Sequence, residues 1–263
     1  MSGEPYGALR YEVADAIATI TLDRPAARNA LDAPLKRALM AALRQAGRDA
    51  AVRVAILTGS GPAFCAGQDL REAAAPGAPP LSTVLRSSYN PLILAIRRLD
   101  VPVIAAVNGV AAGAGVALAL ACDLRIAADS ASFVLAFGRI GLVPDSGTTW
   151  FLPRLVGPAR AAELALLGDP LTAAAAERIG LVNRVVPAAD LEAETRSLAA
   201  RLAAASPRAL ALTKRALNRS LETGLEAQLE EEAELQGIAG RTADHREGVA
   251  AFLEKRPPRF TGE

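Results

Sequence analysis

A chain of 263 residues, 51% of them hydrophobic, is long enough for one large domain, or a core with a small appendage, around a sizeable buried interior. Its 29 Lys and Arg balance 28 Asp and Glu to a net charge of +1, so no global field draws it to nucleic acid or an anionic membrane. Cys65 and Cys122 lie in apolar segments without metal-ligand spacing, and no other grouping suggests a metal site, which fits a reduced compartment.

The opening MSGEPYGALR has no apolar signal core, so a cytoplasmic protein is expected. Leu9 to Val13 and Ile17 to Leu22 alternate apolar and polar residues around Asp15-Ala16, the pattern of a β-hairpin. After a loop over Ala27 to Leu31, Asp32 caps a helix to about Arg48, with Leu35, Leu39, Ala42, Leu43 and Ala46 on one face. Val52 to Thr58 reads as a buried strand, ended by Gly59-Ser60-Gly61-Pro62. Residues 73 to 80 are only Ala, Pro and Gly, a loop expected to be mobile. Leu81 to Leu99 follows as a helix with a kink at Asn90-Pro91.

Val101 to Cys122 is long and uncharged, but Pro102 and Asn108-Gly109 break it. A buried strand (Val103 to Val107), a turn (Asn108 to Ala112) and a helix (Gly113 to Cys122) explain it better than a membrane span. Asp123 to Ala127 is a further strand. Strands alternating with helices at crossover spacing predict an α/β core with largely parallel pairing. Past residue 158 helices dominate, at 159–167, 172–179, 191–204, 208–220, 225–239 and 243–254, with a strand only at 181–186. The division expected is a core over 1–195 and a helical C-terminal region over 196–263.

Gly113-Ala-Gly115-Val-Ala-Leu118 fails as a dinucleotide fingerprint, because Leu stands where close packing needs Gly or Ala. A nucleophilic Ser146 or Cys65 would need a base, and His245, the one histidine, sits in a charged Asp-His-Arg-Glu surface run. Two small-residue turns remain, Cys65-Ala66-Gly67-Gln68 and Gly109 to Gly115, each after a buried strand. Such turns are either ordinary connections or bare backbone able to aim N–H groups at a ligand, as an oxyanion hole does. Asp145, before Ser-Gly-Thr-Thr-Trp, reads on its own as a helix cap.

Phe64-Cys-Ala-Gly-Gln-Asp-Leu70, Val107-Asn-Gly-Val-Ala-Ala-Gly-Ala-Gly115 and Gly141-Leu-Val-Pro-Asp145-Ser-Gly-Thr, in this order, resemble the enoyl-CoA hydratase/isomerase (crotonase) superfamily. The resemblance runs from about residue 8 to the C-terminus. It implies a spiral of ββα units with a helical C-terminal region that builds trimers, often paired as hexamers. It also implies an acyl-CoA thioester as substrate, with coenzyme A part of that substrate and no separate cofactor. The thioester enolate would be held by the backbone N–H groups of Gln68 and Ala114. The family's hydratases carry glutamates at the positions of Ala117 and Phe137, whereas isomerases and dehalogenases carry a carboxylate at Asp145.

Within the superfamily the segments resemble the isomerases of aerobic phenylacetate breakdown, which convert ring-1,2-epoxyphenylacetyl-CoA to oxepin-CoA and also shift enoyl-CoA double bonds. Ser146-Gly147-Thr148 departs from that pattern at the helix start. By this resemblance Asp145 is the single proton carrier, screened from water by Phe137, Leu142, Val143, Pro144 and Trp150. Ala66, Gly67, Gln68, Asp69 and Leu70 would line the pantetheine channel, and Arg28, Asn29 and Ala30 the adenine end. Arg24, Arg28, Lys255 and Arg256 are candidates for the CoA phosphates. Tyr89 would cover the acyl group, with Gly113 beside it. A general Δ3,Δ2-enoyl-CoA isomerase and a hydratase are the enzyme alternatives; an acyl-CoA binder, an RNA binder and a scaffold are the others, though no basic stripe with aromatics favours RNA.

Overall fold

The computed structural model describes residues 7–263. Met1–Tyr6, part of the segment read above for a leader, lie outside the described residues. The hairpin forms as expected from β1 (Leu9–Ala14) and β2 (Ile17–Leu22). Asp15 and Ala16 both take positive φ, at 53° and 62°, the two-residue turn whose twist suits a hairpin. In α1 (Ala33–Arg48) the Asp32 side chain accepts the Leu35 N–H at 2.9 Å, and the five apolar positions of the expected stripe are buried.

The chain then repeats one unit three times: a long strand, a short strand, and helix. First come β3 (Val54–Gly59), β4 (Ala63–Cys65), α2 (Leu70–Ala73), α3 (Leu81–Val84) and α4 (Asn90–Arg98). Between α3 and α4 the turns widen into a π-helix over Leu85–Tyr89. A proline lacks the N–H that a regular turn needs, and the wider turn just ahead of Pro91 accommodates this where a kink was expected. Next are β5 (Val103–Val107), β6 (Val110–Ala112) and α5 (Ala114–Ala121), then β7 (Leu124–Ala128), β8 (Ser132–Val134) and α6 (Thr148–Leu167). The remainder is β9 (Leu171–Thr172), α7 (Ala173–Arg178), β10 (Arg184–Val186), α8 (Leu191–Ala203), α9 (Pro207–Ser220), α10 (Leu225–Ala239) and α11 (Ala243–Glu254).

The long strands build a six-stranded sheet in the order β1-β2-β3-β5-β7-β10, parallel except for β1. Sequences such as Val-Ile-Ala-Ala-Val in β5 are buried throughout, as strands covered on both faces require. The short strands form a second sheet, β4-β6-β8-β9. This corrects two expectations. The Asn108 to Ala112 turn contains β6, and Ser132–Val134 and Leu171–Thr172 are strands. Runs of two or three residues are too short to show a period. Helix α6 also begins at Thr148, well before residue 159, with Gly157 breaking its regular backbone at φ 77°. Helix α8 packs on the large sheet and runs unbroken through residue 195. Among the described residues no helix is long and apolar enough to cross a membrane.

This layout decides where chemistry can occur. The parallel strands β2, β3, β5 and β7 all end on one side, so the loops after Leu22, Gly59, Val107 and Ala128 gather there. Asn29 and Asn108 tie that edge together. The Asn29 amide donates to Ser60 O and Ala63 O, and the Asn108 amide to Gly61 O and Ala63 O. Helix α5 is apolar on every side and fully buried, so its N-terminus is held inside the protein at this same edge.

Candidate active site

The two small-residue turns meet. Gly67 sits at φ +89°, and a Cβ there would lie 2.7 Å from Ala112 O and 3.3 Å from Ala114 N. A Cβ on Gly115 would lie 2.1 Å from Cys65 O. Only the absence of side chains lets the segment after β4 approach the start of α5 so closely. Arg28–Leu31 runs beside it: Ala66 N–H donates to Arg28 O, Leu31 N–H to Gly67 O and Asp69 N–H to Leu31 O. This alternation uses the backbone N–H of Asp69 and leaves that of Gln68 pointing the other way. Among the described residues neither Gln68 N–H nor Ala114 N–H has a protein acceptor. Ala114 is the first residue of α5, so its N–H also carries the positive end of the helix dipole.

The Gln68 side chain is held as well. Its Oε1 accepts the Tyr89 hydroxyl and the Lys36 ammonium, the latter at 3.2 Å, while its Nε2 donates to Asp69 O. Tyr89 is 3% exposed. Burial first, then the nearby Cys65 thiol and the charges of Asp145, Glu72 and Asp69, push its phenol well above the usual range, so it stays a donor. Tyr89 and Ile93 lie one helical turn apart, and Ile93 packs beside Gly147, two residues past Asp145. Tyr89 thus lies near both Gln68, to which its hydroxyl donates, and the charge of Asp145. Phe137 completes the group, its ring 3.7 Å from where a Gly113 Cβ would stand.

Asp145 is half-buried on a tight turn in which Ser146 and Gly147 take positive φ, at 51° and 81°. Its backbone carbonyl accepts the Thr148 N–H at 2.8 Å, but its side chain does not cap α6. The helix-cap reading is therefore corrected: among the described residues the carboxylate accepts only the Ser146 hydroxyl, at 2.8 Å. Burial raises its pKa, and that hydrogen bond partly opposes the rise.

Two other carboxylates near Tyr89 are committed elsewhere. Glu72 accepts Ala33 N–H at 2.7 Å, and Asp69 pairs with Arg24 at 3.0 Å and caps α2. Burial works to raise Asp69, but Arg24 and the Arg71 N–H outweigh it and hold the carboxyl below its usual range. Ala117 and Phe137, which the resemblance aligns with the hydratase glutamates, are buried and have no titratable group. Cys65 is fully buried and its thiol is pushed up to about 12, so it is no nucleophile at neutral pH. His245 is exposed on α11. Among the described residues no cluster of three or more His, Cys, Asp and Glu could hold a metal.

Other expected positions are only partly assembled. Arg28, Ala30 and Ala66 to Leu70 form one continuous edge, with Arg28 exposed. The Asn29 side chain is 0% exposed and spent on the fold, so it cannot face an adenine. Arg24 is held by Asp32, Asp69 and Ala30 O, and Arg256 by Glu247 and Glu254, which removes both from the phosphate candidates. Arg28 and Lys255 make no ion pair among the described residues, but no contact joins them. The tail after Lys255 is anchored through Arg53, just before β3 and at the opposite end of the sheet from the site loops.

Leu142 and Val143 are 36% and 77% exposed, so they do not shield Asp145 in this chain; the loop turns outward after Gly141, at φ 71°. Pro144 is half-buried beside Asp145. Trp150 carries Arg154 over its ring at 4.3 Å. It faces a cavity of about 720 Å³ between α4, α6 and α9, which Gly147 borders but Gln68 and Ala114 do not. Lys36 escaped the sequence reading because a lysine on an amphipathic helix is usually solvated. Its spacing from Leu39 and Leu43, three and seven residues on, places it on the buried stripe and was the available signal.

Two sheets spiralling through repeated ββα units, with a helical C-terminal region, are the fold of the crotonase class of acyl-thioester enzymes. The chain belongs to the enoyl-CoA hydratase/isomerase family, which it matches over residues 12–263. It is 53% identical over 257 residues to a protein of Rhodobacter capsulatus named a probable enoyl-CoA hydratase, spanning 98% of this chain and 99% of that one. It is 47% identical over 250 residues to the 1,2-epoxyphenylacetyl-CoA isomerase of Escherichia coli, covering 94% and 95% of the two chains. The crystal structure of an enoyl-CoA hydratase from Bacillus anthracis superposes with a TM-score of 0.92 at 37% identity, over 97% of this chain and 100% of that one.

Proposed function

We propose that the chain is an acyl-CoA isomerase that uses Asp145 as its only proton carrier and acts on ring-1,2-epoxyphenylacetyl-CoA, forming oxepin-CoA, and on 3-enoyl-CoA. This reading is supported by two N–H donors without a protein acceptor, Gln68 and Ala114, and by an Asp145 carboxylate that among the described residues accepts only the Ser146 hydroxyl; the resemblance aligns Ala117 and Phe137 with the hydratase glutamates. The thioester oxygen takes the N–H groups of Gln68 and Ala114. Asp145 removes a proton from the carbon next to the thioester carbonyl, and the electron pair moves onto that oxygen as an enolate. Two aligned N–H donors stabilise this charge, and losing one typically costs about 2.7–4 kcal/mol. Asp145 then returns the proton farther along the skeleton, so the product has the formula of the substrate.

The raised pKa of Asp145 suits this cycle, because a carboxylate must both accept and release the proton near working pH. Hydration also needs an activated water and a second proton carrier, which a lone carboxylate does not supply. A hydratase remains the second reading because the Rhodobacter capsulatus relative carries that name. Comparing kcat/KM for ring-epoxidised phenylacetyl-CoA, a 3-enoyl-CoA and crotonyl-CoA separates the readings. Turnover of the first two without hydration of the third is expected, and efficient hydration of crotonyl-CoA overturns the isomerase reading.

A further inference from the structure

Lys36 is an unusual residue to find in the interior. Its side chain is 4% exposed on the buried side of α1, and its ammonium lies 4.8 Å over the Tyr89 ring. Its counter-charge is modest: Glu72 stands 3.7 Å away and also accepts the Ala33 N–H, while Asp32 and Asp69 face it from farther off and are paired with Arg24. Burying an ammonium with incomplete compensation is costly. A fold that only needed to fill this space would be better served by Met or Leu. What the ammonium does is donate to Gln68 Oε1, the oxygen that also accepts the Tyr89 hydroxyl.

Gln68 is one of the two residues whose N–H is free to meet a thioester. With Oε1 held by two donors and Nε2 donating to Asp69 O, its side chain has one arrangement. The Gln68 backbone is otherwise fixed only through its neighbours, Gly67 O and Asp69 N–H on Leu31. Gly67 just before it is the most permissive backbone in the segment. We infer that Lys36 is a positioning residue: with Tyr89 it locks the Gln68 side chain and thereby aims the Gln68 N–H at the thioester oxygen. Burial lowers the Lys36 pKa and Glu72 works against that shift.

This role rests on the clamp in the proposed function, and one set of measurements separates the two. The carbonyl stretch of butyryl-CoA, isotope-labelled at the thioester carbonyl, falls to lower frequency when two N–H groups polarise it. The wild-type protein should show this fall on binding. Lys36→Met should show a smaller one, with kcat on a 3-enoyl-CoA down about tenfold to a hundredfold and KM within about twofold, because only the enolate needs the aligned donor. Lys36→Arg should recover much of the loss. Lys36→Met combined with Gln68→Leu should lose no more than Gln68→Leu alone, as both act through one bond.

If the wild-type carbonyl does not shift, the clamp itself is wrong. If it shifts and Lys36→Met retains both shift and kcat, the clamp stands and the role of Lys36 is overturned. Should Lys36→Met fail to fold, Tyr89→Phe removes the other donor to the same oxygen. An unchanged carbonyl shift in Tyr89→Phe then overturns the lock.

Discussion

Gln68 and Ala114 offer backbone groups, brought close by glycines in the turn after β4 and in the first turn of α5, whereas Asp145 offers a side chain on a turn with successive positive φ values. The first region reaches into the core, with Ala114 buried and Gln68 half-buried beside β4, β6 and the buried α5. The second lies at the margin, beside the exposed Leu142 and Val143. The difference separates two tasks. In the proposed reaction the backbone donors would serve any thioester, because every residue type carries the N–H, and so would carry binding and charge stabilisation. In that proposal the side chains at residues 117, 137 and 145 determine where protons go, and so which reaction follows.

The sharpest way to break this division is Asp145→Asn, nearly isosteric and uncharged. It should lower kcat about a thousandfold and leave acyl-CoA binding by calorimetry within about twofold. Loss of binding along with turnover would mean that the two tasks are not separate. Next is Gly67→Ala, whose Cβ would meet Ala112 O at 2.7 Å in a backbone at φ +89°. Displacing the Gln68 N–H should lower kcat about a hundredfold, with a drop in Tm from the strained backbone.

A smaller effect concerns pH. Asp145 must be ionised to take the proton, so kcat should fall as pH drops through its raised pKa. In Ser146→Ala the opposing hydrogen bond is gone, and the acid limb should move to still higher pH. A limb moving down would contradict the assigned cause. The smallest expected effect is on stability. A carboxyl whose pKa is raised on folding favours the native state below its unfolded pKa and penalises it as pH rises through the folded one. Asp145→Asn should therefore raise Tm at neutral pH by about 1–2 °C, and should show no such gain in acid.

Both regions left different marks in the sequence. The long strands, α1 with its Asp32 cap, and the helices after residue 158 were legible from period and capping, because each buries a stripe or a whole run of apolar residues. The short strands β6, β8 and β9 were not, since pairing across a second sheet defines them and three residues carry no period. The proposed clamp was visible only as two glycine-rich turns. That they meet depends on atoms missing from Gly67 and Gly115. Asp145 could be named, but its side-chain environment follows from a turn geometry that the pattern Asp-Ser-Gly does not specify. Asn29 looked like part of a binding loop, yet its buried amide closes the β3–β4 turn. Lys36 was passed over because composition treats lysine as surface.

The central claim is that one carboxylate moves one proton and no water is added. Incubating the protein with a 3-enoyl-CoA in heavy-oxygen water and weighing the products by mass spectrometry tests it directly. The account predicts a 2-enoyl-CoA of unchanged oxygen composition, abolished in Asp145→Asn. Accumulation of a 3-hydroxyacyl-CoA carrying the heavy oxygen at a comparable rate would contradict it.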